Sequence, residues 1–305
     1  MNEENPASPS SSAHAAPPRH SQRTVFLTVL AVVFLGFVMI MVMIGVTAAL
    51  TELEGDLGEY GDDADFSAES LYGCNAIGIE IRGCIWTYFP EVTDYYSDGT
   101  CDDITSSEEV VWQLAAAAEN PDIKAVVLQI DSGGGSSIAA EEIANALKAS
   151  GLPAVAWVRQ NADSAAYWIA SAADTVIASE TSEVGSIGVT YSYVDNADQN
   201  SQDGLSYNQL IAGKYKDMGS PDRALTSDER SLIQRDLDII HDVFIRAVAT
   251  NRGLPEERVR ALADGSTMLG KMALENGLID QIGSKKEVWD KLGTLVGDEP
   301  EVCWN

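Results

Sequence analysis

The chain has 305 residues, 45% of them hydrophobic and 22% charged. That is enough apolar material for one sizeable α/β domain with appendages, and too much for a disordered chain. The formal net charge is −28; Glu3 and Glu4 offset Arg19 and Arg23, so all of it lies beyond residue 50, where it argues against nucleic acid as a partner.

Residues 1–23 are rich in Ser, Pro and Ala without apolar periodicity, and read as a disordered cytoplasmic tail. Residues 24–50 carry no charge. About 20 apolar helical residues cross a bilayer core, so this segment predicts a transmembrane helix. A cleavable signal peptide is the rival, but its apolar region runs to only about 7–15 residues. Arg19, His20 and Arg23 precede the span and Glu52, Glu54 and Asp56 follow it. The positive-inside rule then keeps the N-terminus cytoplasmic and puts the rest outside, on a single-pass protein of the cell membrane. Residues 51–72 read as an acidic stem, and 73–305 as the extracytoplasmic domain.

The four cysteines, Cys74, Cys84, Cys101 and Cys303, all fall on that outer side. No CxxC spacing suggests zinc or a redox centre, and two disulfides suit an oxidising compartment. The sequence leaves three pairings open. The preferred one joins Cys84 to Cys101 across a local loop and Cys74 to Cys303 across the domain.

Within the domain, 76–82 alternates as a strand does, and 85–105 reads as an elaborated loop. A helix is predicted over Glu108–Glu119 and a buried strand over 125–130. The Gly-rich turn Asp131-Ser132-Gly133-Gly134-Gly135 follows, then a helix over about 138–149. Strands at 154–158 and 175–178 flank a helix at 165–173. A long amphipathic helix over 225–251, a second over 255–263 and a short closing strand near 278–283 complete the pattern. Strands alternating with helices imply βαβ units and parallel pairing.

Several chemistries are absent. There is no HExxH, no Walker loop and no GxSxG elbow; metal ligands do not cluster, and no cofactor is expected. Of three histidines, His14 and His20 lie in the tail, leaving His241 in the domain. Its place in the long amphipathic helix reads as a satisfied helix-face histidine. A serine hydrolase built on this chain therefore has a base other than histidine. The candidate nucleophile is Ser164, where a strand gives way to an Ala-rich helix and the hydroxyl stands near free backbone N–H groups. A plain helix cap by Ser164 or Asp163 explains the same pattern. The glycines after Ile130 allow a close backbone approach of the kind an oxyanion hole needs, or simply a tight turn. Lys214 and Lys216 are both available as bases. A lysine base must be neutral near pH 7, which takes a shift of roughly 3 units from about 10.4.

Taken in order, these segments resemble the signal peptide peptidase A family over about residues 76–292. Ile130-Asp131-Ser132-Gly133-Gly134-Gly135 is similar to that family's strand and Ser-Pro-Gly-Gly turn, and Asp163-Ser164-Ala165-Ala166-Tyr167-Trp168 to its Ala-Ser-Gly-Gly-Tyr-Tyr. Val184-Gly185-Ser186-Ile187-Gly188-Val189, Gly213-Lys214-Tyr215-Lys216-Asp217 with Ser220-Pro221, and the tail from Ala263 to Gly283 match further segments. The resemblance implies an α/β, ClpP/crotonase-like fold of repeated ββα units behind an N-terminal transmembrane helix. It implies a serine endopeptidase with Ser164 as nucleophile, Lys216 as general base, Ser186 orienting the lysine and the Gly134 N–H as oxyanion donor. Implied substrates are peptides or proteins near the membrane, such as remnant signal peptides. The implied assembly is a homo-oligomer, an octamer being the candidate size, with the dyad shared between protomers.

Three departures stand out: Gly133 for Pro, Ala165-Ala166 for two glycines, and Asp163 for a small residue. Asp163 is expected to cap the helix from outside. Two alternatives follow: a catalytically silent membrane scaffold of the same fold, and an acyl-CoA enzyme of the wider crotonase-like group. The acidic domain disfavours the second, because it repels an anionic cofactor.

Overall fold

The computed structural model describes residues 34–36, 39–41, 71, 73–89, 101 and 103–304. The chain divides into two units, Met1–Asp65 and Phe66–Asn305. In the first, residues 34–36 and 39–41 are helical and expose Phe34, Leu35, Met39 and Ile40. Among the described residues no helix is long and apolar enough to cross a membrane. The expected tail, the rest of the expected span and, apart from Leu71, the expected stem lie outside the described residues.

The second unit runs β1 (Ala76–Trp86), β2 (Ile104–Ser106), α1 (Ser107–Glu119), β3 (Ala125–Gly135), α2 (Ser137–Ala149), β4 (Ala154–Asp163), α3 (Ala165–Ser171), β5 (Thr175–Ala178), β6 (Glu183–Gly185), α4 (Ala197–Gln202), α5 (Ser227–Arg252), α6 (Glu256–Arg260), β7 (Thr267–Leu269), α7 (Gly270–Asn276), β8 (Gln281–Ile282), α8 (Lys285–Val296) and β9 (Val302–Trp304). The sheet order is β2-β1-β3-β4-β5-β8, with β9 on β1, β6 on β4 and β7 on β6. Every pair is parallel except β6 with β7. This mixed architecture with its parallel sheet fits a ClpP-like fold. The chain order shows a ββα unit in β1-β2-α1 and then single strands before α2 and α3.

The central strands are apolar on both faces because both faces are covered. Val126, Leu128 and Ile130 of β3 and Ala154, Ala156 and Val158 of β4 face the main core. There they meet Ala140, Ile143 and Leu147 of α2, which recur at helical spacing. On the other face Val127 and Val155 meet Val288, Leu292 and Val296 of α8. The long helix α5 begins at a reciprocal capping box between Thr226 and Glu229 and ends at Gly253, whose φ is 62°. Its C-terminal half, with Phe244, Ile245, Val248 and Ala249, enters the main core; before Phe244 only Glu229 is buried.

Both central strands continue past their apolar stretches. β1 extends to Trp86 where a loop was expected, and β3 extends through the glycines expected to form a turn, so that Ile85 pairs with Gly135. The register shifts between Arg82 and Cys84 and between Ile130 and Ser132, which are bulges that re-aim the strand ends. β4 changes partner along its length: 155–157 pair with β5 and 161–163 with β6.

The disulfides are Cys74–Cys303 and Cys84–Cys101, the pairing preferred from the sequence. Cys303 lies in β9 opposite Ile77, and the Trp304 ring covers Gly78 so closely that a Cβ there would sit 2.4 Å from it. The first bridge spans 229 residues of sequence and the second 17. Longer loops lose more entropy in the unfolded chain when closed. Replacing Cys74 and Cys303 together by Ser is therefore expected to lower stability by roughly 2–5 kcal/mol. Replacing Cys84 and Cys101 should cost less. Denaturant midpoints measured without reductant check both.

Candidate active site

Ser164 links the end of β4 to the start of α3. Its backbone sits at φ 54°, ψ −122°, a conformation that costs a residue with a Cβ on the order of 1–3 kcal/mol. Three contacts hold it there. The Ser164 N–H donates to the Gly185 carbonyl at 2.8 Å, and the Ser164 carbonyl accepts from the Trp168 N–H at 3.0 Å. Behind it, all of α3 is buried. The Ser164 side chain makes no capping hydrogen bond, so the helix-cap explanation for this serine does not hold.

Asp163 does not cap the helix either, contrary to expectation. Ser164 occupies the N-cap position. Asp163 is half-buried, and its Oδ1 is buried with no hydrogen-bond partner among the described residues. Burial, and then the negative charge of Glu183, push its carboxyl above the usual range, against a hydrogen bond from Asn161. Along β4 and β6 the pairs are Asn161 with Glu183 and Asp163 with Gly185. Asp163 is not among the residues lining the cleft described below.

Gly134 lies directly against Ser164. A Cβ on Gly134 would stand 2.8 Å from the Ser164 Cβ and 3.0 Å from the Asp163 carbonyl oxygen, and its φ is 107°. Only glycine permits that approach. The Gly134 N–H donates to Ser132 Oγ at 3.1 Å, and that hydroxyl donates to the Gly83 carbonyl at 2.6 Å.

Ser164 opens into a cleft of about 770 Å³. Gly133, Gly135, Ser136 and Ile138 form one wall. Ser186 and Gly188 border it from the segment after β6, and Asp264 and Gly265 from the loop before β7. Ser186 also has a positive φ, 48°. Its N–H donates to the Ser266 carbonyl at 3.0 Å and its hydroxyl to the Gly265 carbonyl at 3.2 Å. Trp168 forms part of the floor, and Ala165 projects beside it; Ala166 is fully buried in the core. The facing wall is one side of α5, which includes Leu237, Ile240, His241 and Phe244.

His241 is not the satisfied histidine the sequence suggested. Its Nε2 is buried and has no hydrogen-bond partner among the described residues. The helical period of 234, 237, 241 and 244 was legible, but nothing local to α5 shows that this side faces a cavity rather than the core.

The two candidate lysines part company. Lys214 donates to Asp228 at 2.7 Å, and this hydrogen bond is the main reason its amine is held above the ordinary lysine range. That is the wrong direction for a base. Lys216 is exposed in the turn after Gly213, where its N–H donates to the Gly213 carbonyl at 3.1 Å. It does not line the cleft. The turn is fastened through Asp217, which accepts from Tyr207 at 2.7 Å and Gln209 at 2.9 Å. Arg223 then ties Asp217 to the buried Glu229 at the start of α5. The structure thus brings Ser164, Ser186 and Gly134 together and leaves Lys216 apart from them within one chain. Among the described residues no group of His, Cys, Asp and Glu side chains could hold a metal ion.

The model of peptidase family S49 matches residues 146–298, a stretch containing Ser164, Ser186 and Lys216. The chain belongs to peptidase family S49. It is 33% identical over 183 residues to a putative protease of Methanocaldococcus jannaschii, covering 59% of each chain. To a putative signal peptide peptidase SppA of Enterococcus faecium it is 32% identical, over 59% of this chain and 53% of that one. To a putative protease of Synechocystis it is 30% identical, over 69% of this chain and 74% of that one. The match thus takes in little more than half the length of the first two relatives.

Burial, and then Glu183, make the ionised form of Asp163 less favourable in the folded chain than in the unfolded one, which opposes folding wherever the unfolded chain ionises. At neutral pH Asp163→Asn is therefore expected to raise the melting temperature. The gain shrinks as pH falls toward the ordinary aspartate value of 3.8, below which both states hold the proton and the difference vanishes. Melting curves of the pair across pH 3–8 check the sign.

Proposed function

We propose that this protein is a membrane-anchored serine endopeptidase that works through an acyl-enzyme on Ser164. The observation that carries this reading is the strained, uncapped Ser164 standing in a cleft large enough for a peptide. Strain of that kind persists where the surroundings over-determine it, and it gathers at sites of chemistry. Membership of a peptidase family supports the reaction class.

In the proposed reaction, neutral Lys216 takes the Ser164 proton and Oγ bonds to the scissile carbonyl carbon. As the tetrahedral intermediate collapses, the carbon–nitrogen bond breaks and the lysine returns its proton to the leaving amine. Water then releases the acyl group by the same proton path. Ser186 orients the lysine. The Gly134 N–H stabilises the oxyanion by sharing or exchanging its bond to Ser132. Substrates are extended peptides or proteins at the outer membrane face, remnant signal peptides among them, with residues 24–50 as the anchor.

Lys216 is supplied by a neighbouring copy in a homo-oligomer. Its exposure, and its absence from the cleft of its own chain, support this. So does the apolar surface of the segment that precedes it. Tyr191, Tyr193, Val194 and Leu205 are exposed there, and Leu210 is 98% exposed. One observation favours the second reading, a silent scaffold: the Gly134 N–H is already engaged. Labelling by a fluorophosphonate probe decides between them, since a scaffold takes no label and the enzyme takes label that Ser164→Ala abolishes.

Ser164→Ala and Lys216→Ala are each expected to lower peptide cleavage by the full-length protein at least about 10³-fold. Unfolding the two inactive variants together and letting them reassemble should restore activity at interfaces where an intact serine meets an intact lysine. That is roughly a quarter of sites in a 1:1 mixture. Full activity in either single variant refutes the dyad, and no recovery on mixing refutes sharing between copies.

A further inference from the structure

The turn that carries Lys216 is held by one guanidinium whose every N–H is committed. Arg223 Nε donates to Asp217 Oδ2 at 3.3 Å, and Nη2 to the Asp217 carbonyl at 2.8 Å. Nη2 and Nη1 also reach Glu229, at Oε1 over 2.6 Å and at Oε2 over 2.9 Å, as a fork on a carboxylate. Nη1 donates once more, to the Ala224 carbonyl at 3.4 Å. These contacts use all five donors that a guanidinium has. The Glu229 side chain is only 4% exposed, and it closes the capping box that starts α5. An ordinary exposed turn asks for none of this, since surface ion pairs contribute little.

Asp217 is the residue next to Lys216, and a carboxylate within about 4–6 Å holds an amine protonated. A general base needs the opposite. The Asp217 carboxylate is committed elsewhere: Oδ2 accepts from Tyr207, Gln209 and Arg223. Among the described residues its ion partner is Arg223 and not Lys216. The other charged groups between 213 and 229 are Lys214, Asp222, Asp228 and Glu229. Lys214 lies over the Tyr215 ring and pairs with Asp228; Asp222 accepts from Asn200 at 3.0 Å. Removing Arg223 therefore leaves Lys214 alone against four carboxylates in this stretch. The cleft that the lysine enters under the proposed mechanism adds Asp238, Asp264 and His241, and no arginine or lysine lines it.

We propose that Arg223 is a positioning residue for the general base: it fixes the Lys216 turn on α5 and takes up the Asp217 charge, so that Lys216 can lose its proton once another copy covers it. This rests on the peptidase reading above, with Lys216 as the base. The charge and the tether can be separated by substitution. Glutamine at both 223 and 229 keeps a hydrogen-bonded pair and a capping box, which takes Gln as well as Glu. It leaves no carboxylate buried without a partner, but it leaves Asp217 with no cation.

The test compares pH profiles of kcat/KM for peptide cleavage by the full-length protein, whose rising limb reports the base of the free enzyme. In Arg223→Gln combined with Glu229→Gln the limb should move up by about one pH unit or more. Cleavage is then about 10-fold slower below the limb and largely regained above it. Adding Asp217→Asn should bring the limb back. A limb that does not move, or that stays displaced after Asp217→Asn, overturns the proposal. An equal loss at every pH also overturns it, since that assigns Arg223 to the fold or to assembly. Should the double variant not fold, Asp217→Asn alone decides: with Arg223 in place and the carboxylate gone the limb should move down, and an unmoved or raised limb overturns the proposal. Lys216→Ala separates the two readings. Full activity there, or none in the native protein, refutes the base and this proposal with it. An inactive Lys216→Ala beside an unmoved limb refutes this proposal alone.

Discussion

The site depends on a contact between a glycine and a serine. Gly134 brings the backbone of β3 against Ser164 at a distance where a Cβ would collide with the serine's own. The bulges in β1 and β3 aim the strand ends into that contact, and the buried α3 presses the serine from behind. Among the described residues, Ser164 and Ser186 are the two non-glycine residues with positive φ. They are joined through one segment, because the Ser164 N–H bonds to Gly185 and the Ser186 N–H to Ser266. Two strained serines thus share one strut at the cleft, at a cost of roughly 1–3 kcal/mol each. The close-packed core around α3 and β4 offsets that cost.

This arrangement explains which parts of the fold were legible from the chain. Elements that carry their own signal were readable: the buried runs at 125–130 and 154–158, the strand at 175–178, and helices with apolar stripes such as α2. Of the three disulfide pairings the sequence left open, the preferred one, a local loop and a tie between the two ends of the domain, is the one present. β6, β7 and β9 were not legible, because three-residue strands are defined by their partners and not by their own periodicity. The glycines at 133–135 read as a turn, yet they extend β3. A turn and a bulged strand end ask the same conformational freedom of glycine, and only pairing with Ile85 distinguishes them.

Within the site the limits have a similar origin. An N-cap serine and a strained strand-to-helix serine occupy the same place in sequence. They differ in backbone torsion and in whether the hydroxyl reaches back to the helix, and neither is written in residue types. His241 shows the same limit from the other side. Its helix is amphipathic, but the apolar stripe runs into the core only from Phe244 onward. Before that point the same stripe faces open space, so Leu237, Ile240 and His241 pass from core positions to cleft positions without any change of pattern.

The two lysines show how electrostatics selects among residues that sequence treats alike. A lysine can act as a base only where burial or positive charge removes its proton. Lys214 is pushed the other way by Asp228, which speaks against it as a base; Lys216 is the lysine of the proposed mechanism. Its turn is no loose loop, since Asp217, Arg223 and Glu229 fasten it to the start of α5, the helix whose later turns form the cleft wall. An exposed amine on a fixed turn is poorly placed to serve its own chain and well placed to be buried by another. Under the proposed mechanism the burial that deprotonates the base is supplied by assembly itself. A lone subunit then holds a strained serine with no base, and its cleavage activity begins only when a second copy covers the turn. On that proposal, hydrolysis is confined to the assembled form, because the covered turn and the strained serine come from different copies.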